Sequence, residues 1–156
     1  MKRLALLITT CAMIGAFGLA AAPSASALPK VGEQGLWVRS EHPIAQQLLA
    51  QMAALNNPDV ADGPKRANIY DPNGTYKSVI DVWFRYVRSY KQGDVTWSTG
   101  TPQQNGATIT MRVKSTAKGY GSFDEKYFWQ KHEGRWKYDV IRWCRTSASC
   151  PGKNLV

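Results

Sequence analysis

The chain has 156 residues and a formal net charge of +9, with 20 Lys and Arg residues against 11 Asp and Glu residues. The basic residues are scattered, and no run of five or six like charges appears, which argues against a dedicated nucleic-acid-binding tract. The length suits a single domain with one hydrophobic core.

The first 27 residues have the order of a secretory signal peptide. Lys2 and Arg3 precede an apolar run, which ends in small residues at Ala25-Ser26-Ala27. This pattern predicts cleavage after Ala27, with an uncleaved membrane anchor as the alternative. No later run is long enough to span a bilayer. We therefore expect a mature protein in the cell envelope or the medium, outside the cytoplasmic membrane, where a basic surface favours anionic envelope polymers or lipid head groups.

Residues 28–39 are predicted to form an extended N-terminal arm, with Trp37 docking on the domain. Residues 40–156 are predicted to form a single domain. Ser40 is a candidate N-cap, and apolar residues then recur at helical spacing through "PIAQQLLAQMAAL" from Ile44 to Leu55. Asn57-Pro58 ends this helix, and residues 59–74 are predicted to form a long loop.

The segment "YKSVIDVWFRYVRSYK" follows, with Val79, Trp83 and Val87 among apolar residues at helical spacing. Its β-branched and aromatic residues leave a strand as the alternative for residues 77–91. In the helical reading, Asp81 and Arg85 form an i,i+4 ion pair on the outer face.

After Gly93-Asp94 the period changes to two. "VTWST" and "ATITMRVKS" are predicted to be strands, and alternation in the second indicates a half-buried antiparallel strand. The segment "FDEKYFWQKHEGRWKYDVIRW" supplies two more strands, for about four in all. The sequence thus predicts an α+β fold, with N-terminal helices packed on a curved antiparallel sheet.

The turn of this last hairpin decides which side chains share a face. A three-residue loop at residues 132–134 mixes charged and apolar residues on both faces, whereas a two-residue loop, Glu133-Gly134, separates them sharply. The second register puts Glu125 opposite Arg142 on the aromatic face. The pair is then either a structural ion pair or part of a ligand pocket. The candidate pocket residues are Glu125, Arg142, Tyr127, Trp129, Tyr138 and Trp83.

Cys144 and Cys150 are the cysteines left after signal cleavage. Because an exported protein meets oxidising conditions, we expect them to form a disulfide that closes a short loop. Neither histidine has metal-ligand spacing to this pair, so no metal site is expected.

The sequence carries no phosphate-binding loop, nucleophile elbow or HExxH motif, so neither a cofactor nor an enzymatic activity is expected. One alternative is an enzyme of the dehydratase or isomerase kind, with Glu125 or Asp139 as the pocket acid. A second alternative is nucleic-acid binding by aromatic residues interleaved with Lys and Arg. This alternative is disfavoured because a helix is expected to cover the most aromatic face.

The order helix, loop, helix and antiparallel strands resembles the NTF2-like cone. Three motifs, "LLAQMAALNNPDV", "NGATITMRV" and "FWQKHEGRW", resemble the low-molecular-weight secreted antigen family of mycobacteria and related actinobacteria. The chain departs from that family in the order Asn57-Pro58-Asp59-Val60 and in its cysteine pair. The resemblance implies a secreted binding or antigenic protein rather than an enzyme. The signal peptide and the predicted aromatic concavity lead us to expect a small apolar molecule, an envelope polymer or a partner protein as its ligand.

Overall fold

The computed structural model describes residues 26–27, 31–89, 95–117, 121–148 and 150–151. These residues form an α+β fold in which helices pack on an open sheet. The predicted signal peptide lies outside the described residues, apart from Ser26 and Ala27. These two residues form a short strand. Cleavage after Ala27 stays a prediction.

The described residues contain four α-helices, one 3-10 turn and seven strands. The helices are α1 Ala45–Leu55, α2 Asp62–Ala67, α3 Lys77–Ser89 and α4 Val140–Thr146, with a 3-10 turn at Glu33–Leu36. The strands are β1 Ser26–Ala27, β2 Ile69–Tyr70, β3 Val95–Thr99, β4 Gln103–Asn105, β5 Thr108–Ala117, β6 Gly121–His132 and β7 Arg135–Asp139.

The sheet is larger than the predicted four strands. Its main path runs β1-β3-β5-β6-β7-β2, and β4 pairs with β5 beside β3. All neighbouring pairs are antiparallel except β2 and β7, which are parallel, so the sheet is mixed rather than purely antiparallel. The four predicted strands correspond to β3, β5, β6 and β7, and the short strands at the edges were missed.

The first helix begins later than the sequence predicted. Its N-cap is Ile44 rather than Ser40, and the Gln47 side chain accepts a hydrogen bond from the Ile44 backbone N–H at 3.0 Å. Ile44 itself is 58% exposed, so it does not belong to the buried stripe of α1. Leu48, Met52 and Leu55 do face the core, as predicted.

The predicted loop at residues 59–74 contains helix α2 and strand β2. Pro64 falls in the first turn of α2, where a missing backbone N–H costs nothing. Lys65 is almost completely buried, with its ammonium group 5.2 Å from the centroid of the Phe84 ring. Burial lowers the pKa of Lys65, and this cation–π contact offsets part of the desolvation.

The helical prediction for the "VIDVWFRYV" segment is confirmed by α3. Its buried residues are Val79, Ile80, Trp83, Phe84 and Val87, whereas Tyr86 of the predicted apolar face is 54% exposed. The predicted Asp81–Arg85 pair is wrong. Asp81 instead binds Lys77 at 2.9 Å and Arg66 of α2, because α2 lies beside α3.

The N-terminal arm packs on the domain mainly through Leu36 and Val38, the neighbours of Trp37. Leu36 and Val38 are buried, and Val38 forms a β-bridge with Trp136 of β7. Trp37 is 36% exposed and lies under the Arg135 guanidinium, whose carbon is 4.8 Å from the ring centroid. The arm also contains the 3-10 turn, so only part of it is extended.

The predicted two-residue turn of the last hairpin is confirmed. His132 pairs with Arg135, and Trp129 pairs with Tyr138. Glu133 and Gly134 both have positive φ values, 53° and 72°, as a tight hairpin turn with the right-handed twist requires. The second strand ends at Asp139, however, because Val140 begins helix α4.

Among the described residues, no helix has both the length and the apolar composition needed to cross a membrane.

Candidate functional site: the Glu125 groove

Aromatic rings fill the space between α3, the sheet and α4. Among the described residues, seven rings form a continuous cluster in which neighbouring centroids are 5.6 to 6.3 Å apart; its members are Trp83, Phe84, Trp97, Tyr127, Trp129, Tyr138 and Trp143. Most of the neighbours meet edge to face or tilted, which is the favourable geometry for aromatic pairs. Four of the six predicted pocket residues, Trp83, Tyr127, Trp129 and Tyr138, therefore pack against one another as core.

The inward-facing residues of β6 become steadily more exposed toward its beginning. Trp129 is 0% exposed and Tyr127 is 8% exposed, whereas Glu125 is half-buried and Phe123 is 40% exposed. This gradient arises because β7 pairs with β6 only at residues 129–132. Along the first half of β6, α4 and the chain that follows it lie beside the strand in place of β7.

Trp129 belongs to the closed end of the core. Its indole N–H donates to Gln51 Oε1 at 2.8 Å. The amide nitrogen of Gln51 donates in turn to the carbonyl oxygens of Leu36 at 2.8 Å and Trp136 at 2.7 Å. Gln51 is fully buried and joins α1 to the arm, β6 and β7. Sequence reasoning missed it, since a glutamine among apolar residues of a helix gives no signal for its partners.

Glu125 lies where the aromatic cluster meets the surface. Its Oε2 accepts a hydrogen bond from the Trp143 indole N–H at 3.1 Å, and its Oε1 accepts one from the Ser147 hydroxyl at 2.7 Å. Hydrogen bonds to an ionised group are stronger than neutral ones, so these two donors hold the carboxylate in place.

The predicted pairing of Glu125 with Arg142 is wrong. Arg142 lies in α4 instead of on a strand, so it has no register with β6. Its backbone N–H donates to Asp139 Oδ1 at 2.9 Å, its Nε is 3.8 Å from Asp139 Oδ2, and its guanidinium lies 5.6 Å from the Phe128 ring centroid. The sequence pattern could not reveal this, because the hydrophobic alternation continues from β7 into α4.

A groove of about 660 Å³ opens beside Glu125. We call it the Glu125 groove, and its size falls within the usual range of small-ligand sites. It lies at the free edge of β6, between strands β4 to β6 and the segment from Thr146 to Ala148. Its lining residues are Gln103, Thr110, Asp124, Glu125, Lys126, Phe128, Thr146, Ser147 and Ala148.

The predicted disulfide between Cys144 and Cys150 is present. Both cysteines are buried, with exposures of 2% and 5%. The three groove residues from Thr146 to Ala148 lie inside the loop that the disulfide closes. The disulfide therefore closes the loop that supplies one wall of the groove.

Two buried tyrosines stand next to the Glu125 side chain. Burial raises the pKa of Tyr127, and the Glu125 charge raises it further, while a hydrogen bond with Ser115 acts in the opposite direction. Burial also raises the pKa of Tyr138 well above its usual value. Both phenols are therefore neutral at physiological pH and serve as packing groups with a polar end.

The charged residues on the outer face of the sheet are largely paired. Arg112 binds both carboxylate oxygens of Asp124, at 2.8 and 3.2 Å, and Lys137 binds Glu133 at 2.7 Å. Within the described part of the chain, no three His, Cys, Asp or Glu side chains cluster as metal ligands would.

Comparison with known proteins finds no significant match to a family model, a curated protein or a solved structure.

Proposed function

We propose that the protein is an exported, non-enzymatic binding protein whose ligand is a hydroxyl-rich component of the cell envelope, such as a saccharide. The observation that carries the proposal is the Glu125 groove, in which a fixed carboxylate stands beside hydroxyl and amide groups. The predicted signal peptide supplies the location, and the resemblance to the secreted antigen family supports the same class.

The composition of the groove favours a hydroxyl-rich ligand over an apolar one. Thr110, Thr146 and Gln103 are half-buried or exposed, and each presents a hydrogen-bonding group. The aromatic cluster, which the sequence offered as an apolar pocket, is occupied by its own rings. A saccharide can exchange its water hydrogen bonds for those of the groove, whereas a hydrocarbon chain would leave the groove's polar groups unpaired.

The environments of the two candidate acids favour binding over catalysis. Asp139 is 5% exposed and caps α4 by accepting the Arg142 N–H, so its carboxylate has a structural task. Glu125 is fixed by Trp143 and Ser147, which favours a carboxylate that orients a ligand. A general acid or base must reach the proton that it transfers, and the contacts that hold these two carboxylates disfavour that role.

A direct binding screen tests the proposal. The protein is titrated with a panel of neutral and acidic oligosaccharides, with phospholipid micelles as the apolar comparison, and binding is followed by calorimetry. We expect at least one oligosaccharide to bind and the micelles to compete poorly. Retention of lipid with no binding of any oligosaccharide would overturn the assignment of ligand class.

A further inference from the structure

We propose that oxidation of Cys144 and Cys150 converts the Glu125 groove into its binding-competent form, so that the site matures only after export. The effect on ligand binding rests on the proposed function. The effect on the position of the loop rests on the contacts of the residues between the two cysteines. It assigns the disulfide a role in positioning the site besides its role in stability.

The two donors to Glu125 that the structure describes, Trp143 and Ser147, are tied to the disulfide loop. Trp143 directly precedes Cys144, and Ser147 lies in the middle of the loop between the two cysteines. The loop is also held by the Ser147 backbone N–H, which donates to the Trp143 carbonyl at 2.8 Å. The covalent closure thus restricts the chain segment that fixes the carboxylate on both of its oxygens.

One wall of the groove is the same loop. Thr146 ends α4, Ser147 and Ala148 follow it, and all three line the groove. Among the described residues, no strand pairs with this segment. The opposite wall is the sheet, with Thr110 and Phe128 on paired strands. Without the disulfide, only noncovalent contacts such as the Ser147 hydrogen bond to Glu125 keep the loop against this wall, so the groove widens whenever they open.

The chemistry of closure fits an exported protein. Two thiols lose two protons and two electrons, and an external disulfide accepts them and is reduced to a dithiol. Reducing compartments keep such thiols open, whereas export exposes them to oxidants. Once formed, the bond is buried at both sulfurs, and this shields it from reductants. The device therefore acts once, during maturation.

The test compares the oxidised protein with the double variant Cys144→Ala and Cys150→Ala. We expect amide hydrogen exchange at residues 145–148 to accelerate at least about tenfold, which corresponds to the loss of one hydrogen bond to a charged group. The indole N–H resonance of Trp143 should also shift toward the position of an exposed tryptophan. Unchanged exchange and an unchanged resonance would overturn the proposal.

Two further variants separate positioning from general stability. Gly134→Ala destabilises the remote hairpin turn and keeps the disulfide, so exchange at residues 145–148 should match that of the unmodified protein after correction for global unfolding. Ser147→Ala keeps the disulfide but removes one donor to Glu125, and should accelerate exchange near residue 147 by a smaller factor. If the double variant does not fold, the same exchange measurement on the protein before and after reduction with dithiothreitol keeps the test decisive, since equal exchange at residues 145–148 would then count against the proposal.

A binding arm distinguishes this inference from the proposed function. The oligosaccharide that binds best to the oxidised protein should bind the double variant at least about tenfold more weakly. Equal affinity, with faster exchange, would overturn the claim that the loop controls binding. If no oligosaccharide binds the oxidised protein, the proposed function fails, while the exchange and resonance data still decide whether the disulfide positions the loop.

Discussion

Four buried indole N–H groups show how single residues hold this core together. Trp83 donates to Asn56, Trp129 to Gln51, Trp136 to the Ser40 carbonyl and Trp143 to Glu125. Each partner comes from a distant part of the chain, so each bond fixes one element against another. A buried indole without a partner would be costly, and this makes the partners as important as the rings.

Among these hydrogen-bond partners, Gln51 is the one whose substitution should lower the free energy of unfolding the most. The substitution Gln51→Leu leaves the Trp129 N–H and two backbone carbonyls without their partner. We expect the free energy of unfolding to fall by about 3 kcal/mol, measured by urea denaturation. The control is Gln46→Leu, which lies on the same helix but is exposed and should change stability little. Similar losses in both variants would contradict the role given to Gln51.

At the level of elements, the turn of the last hairpin was predictable, and the helix that follows its second strand was not. The turn at Glu133-Gly134 follows from local sequence, because an acidic residue followed by glycine suits a tight turn. The end of β7 at Asp139 depends on Asp139 capping a helix, and the alternating pattern continues through that point. The Glu125–Arg142 pairing failed for this reason, whereas the disulfide was predictable because only one pairing was available.

The turn glycine provides a test of the hairpin. Gly134 has φ 72°, so Gly134→Ala forces a side chain into the left-handed region and should lower the free energy of unfolding by about 1 kcal/mol. In α2, Gly63→Ala should raise it by about 0.5 kcal/mol, since an added Cβ meets no atom within 4 Å there. Thermal unfolding of both variants measures the difference. A neutral Gly134→Ala would contradict the assigned turn.

For the whole molecule, exposed ion pairs predict how stability responds to acid. Hydrogen bonds from Lys131, Lys77, Arg112 and Lys137 lower the pKa values of Glu41, Asp81, Asp124 and Glu133 respectively. A carboxyl group with a lowered folded-state pKa stabilises the fold above its unfolded pKa, and this contribution is lost as the pH falls through the folded value.

We therefore expect the free energy of unfolding to decrease as the pH falls below about 4.5, and to continue decreasing below about 3.8, the ordinary pKa values of these two residue types. Because the pairs lie at the surface, 1 M NaCl should flatten the dependence. Urea denaturation across this pH range measures it. Stability that stays constant or rises on acidification would contradict the assignment.

The overall class of the fold and its two longest helical segments were predictable from periodicity, since each buries one face. The small elements α2, β2 and β4 were not, because residues 62–70 and 103–105 carry too few apolar positions to show a period. The groove could not be predicted from the sequence either, because it depends on how distant elements pack. Thr110, Lys126 and Ser147 come together only because α4 crosses the free edge of β6, which no local pattern records.

The central claim, that the Glu125 groove binds a hydroxyl-rich ligand, is tested most directly by two substitutions on β5. Thr110→Tyr places a bulky ring in the groove, whereas Thr116→Tyr places the same ring on the same face of the strand, outside the groove. Calorimetry with the best-binding oligosaccharide should show affinity reduced at least about tenfold by Thr110→Tyr and unchanged by Thr116→Tyr. Equal affinities for the two variants would contradict the account.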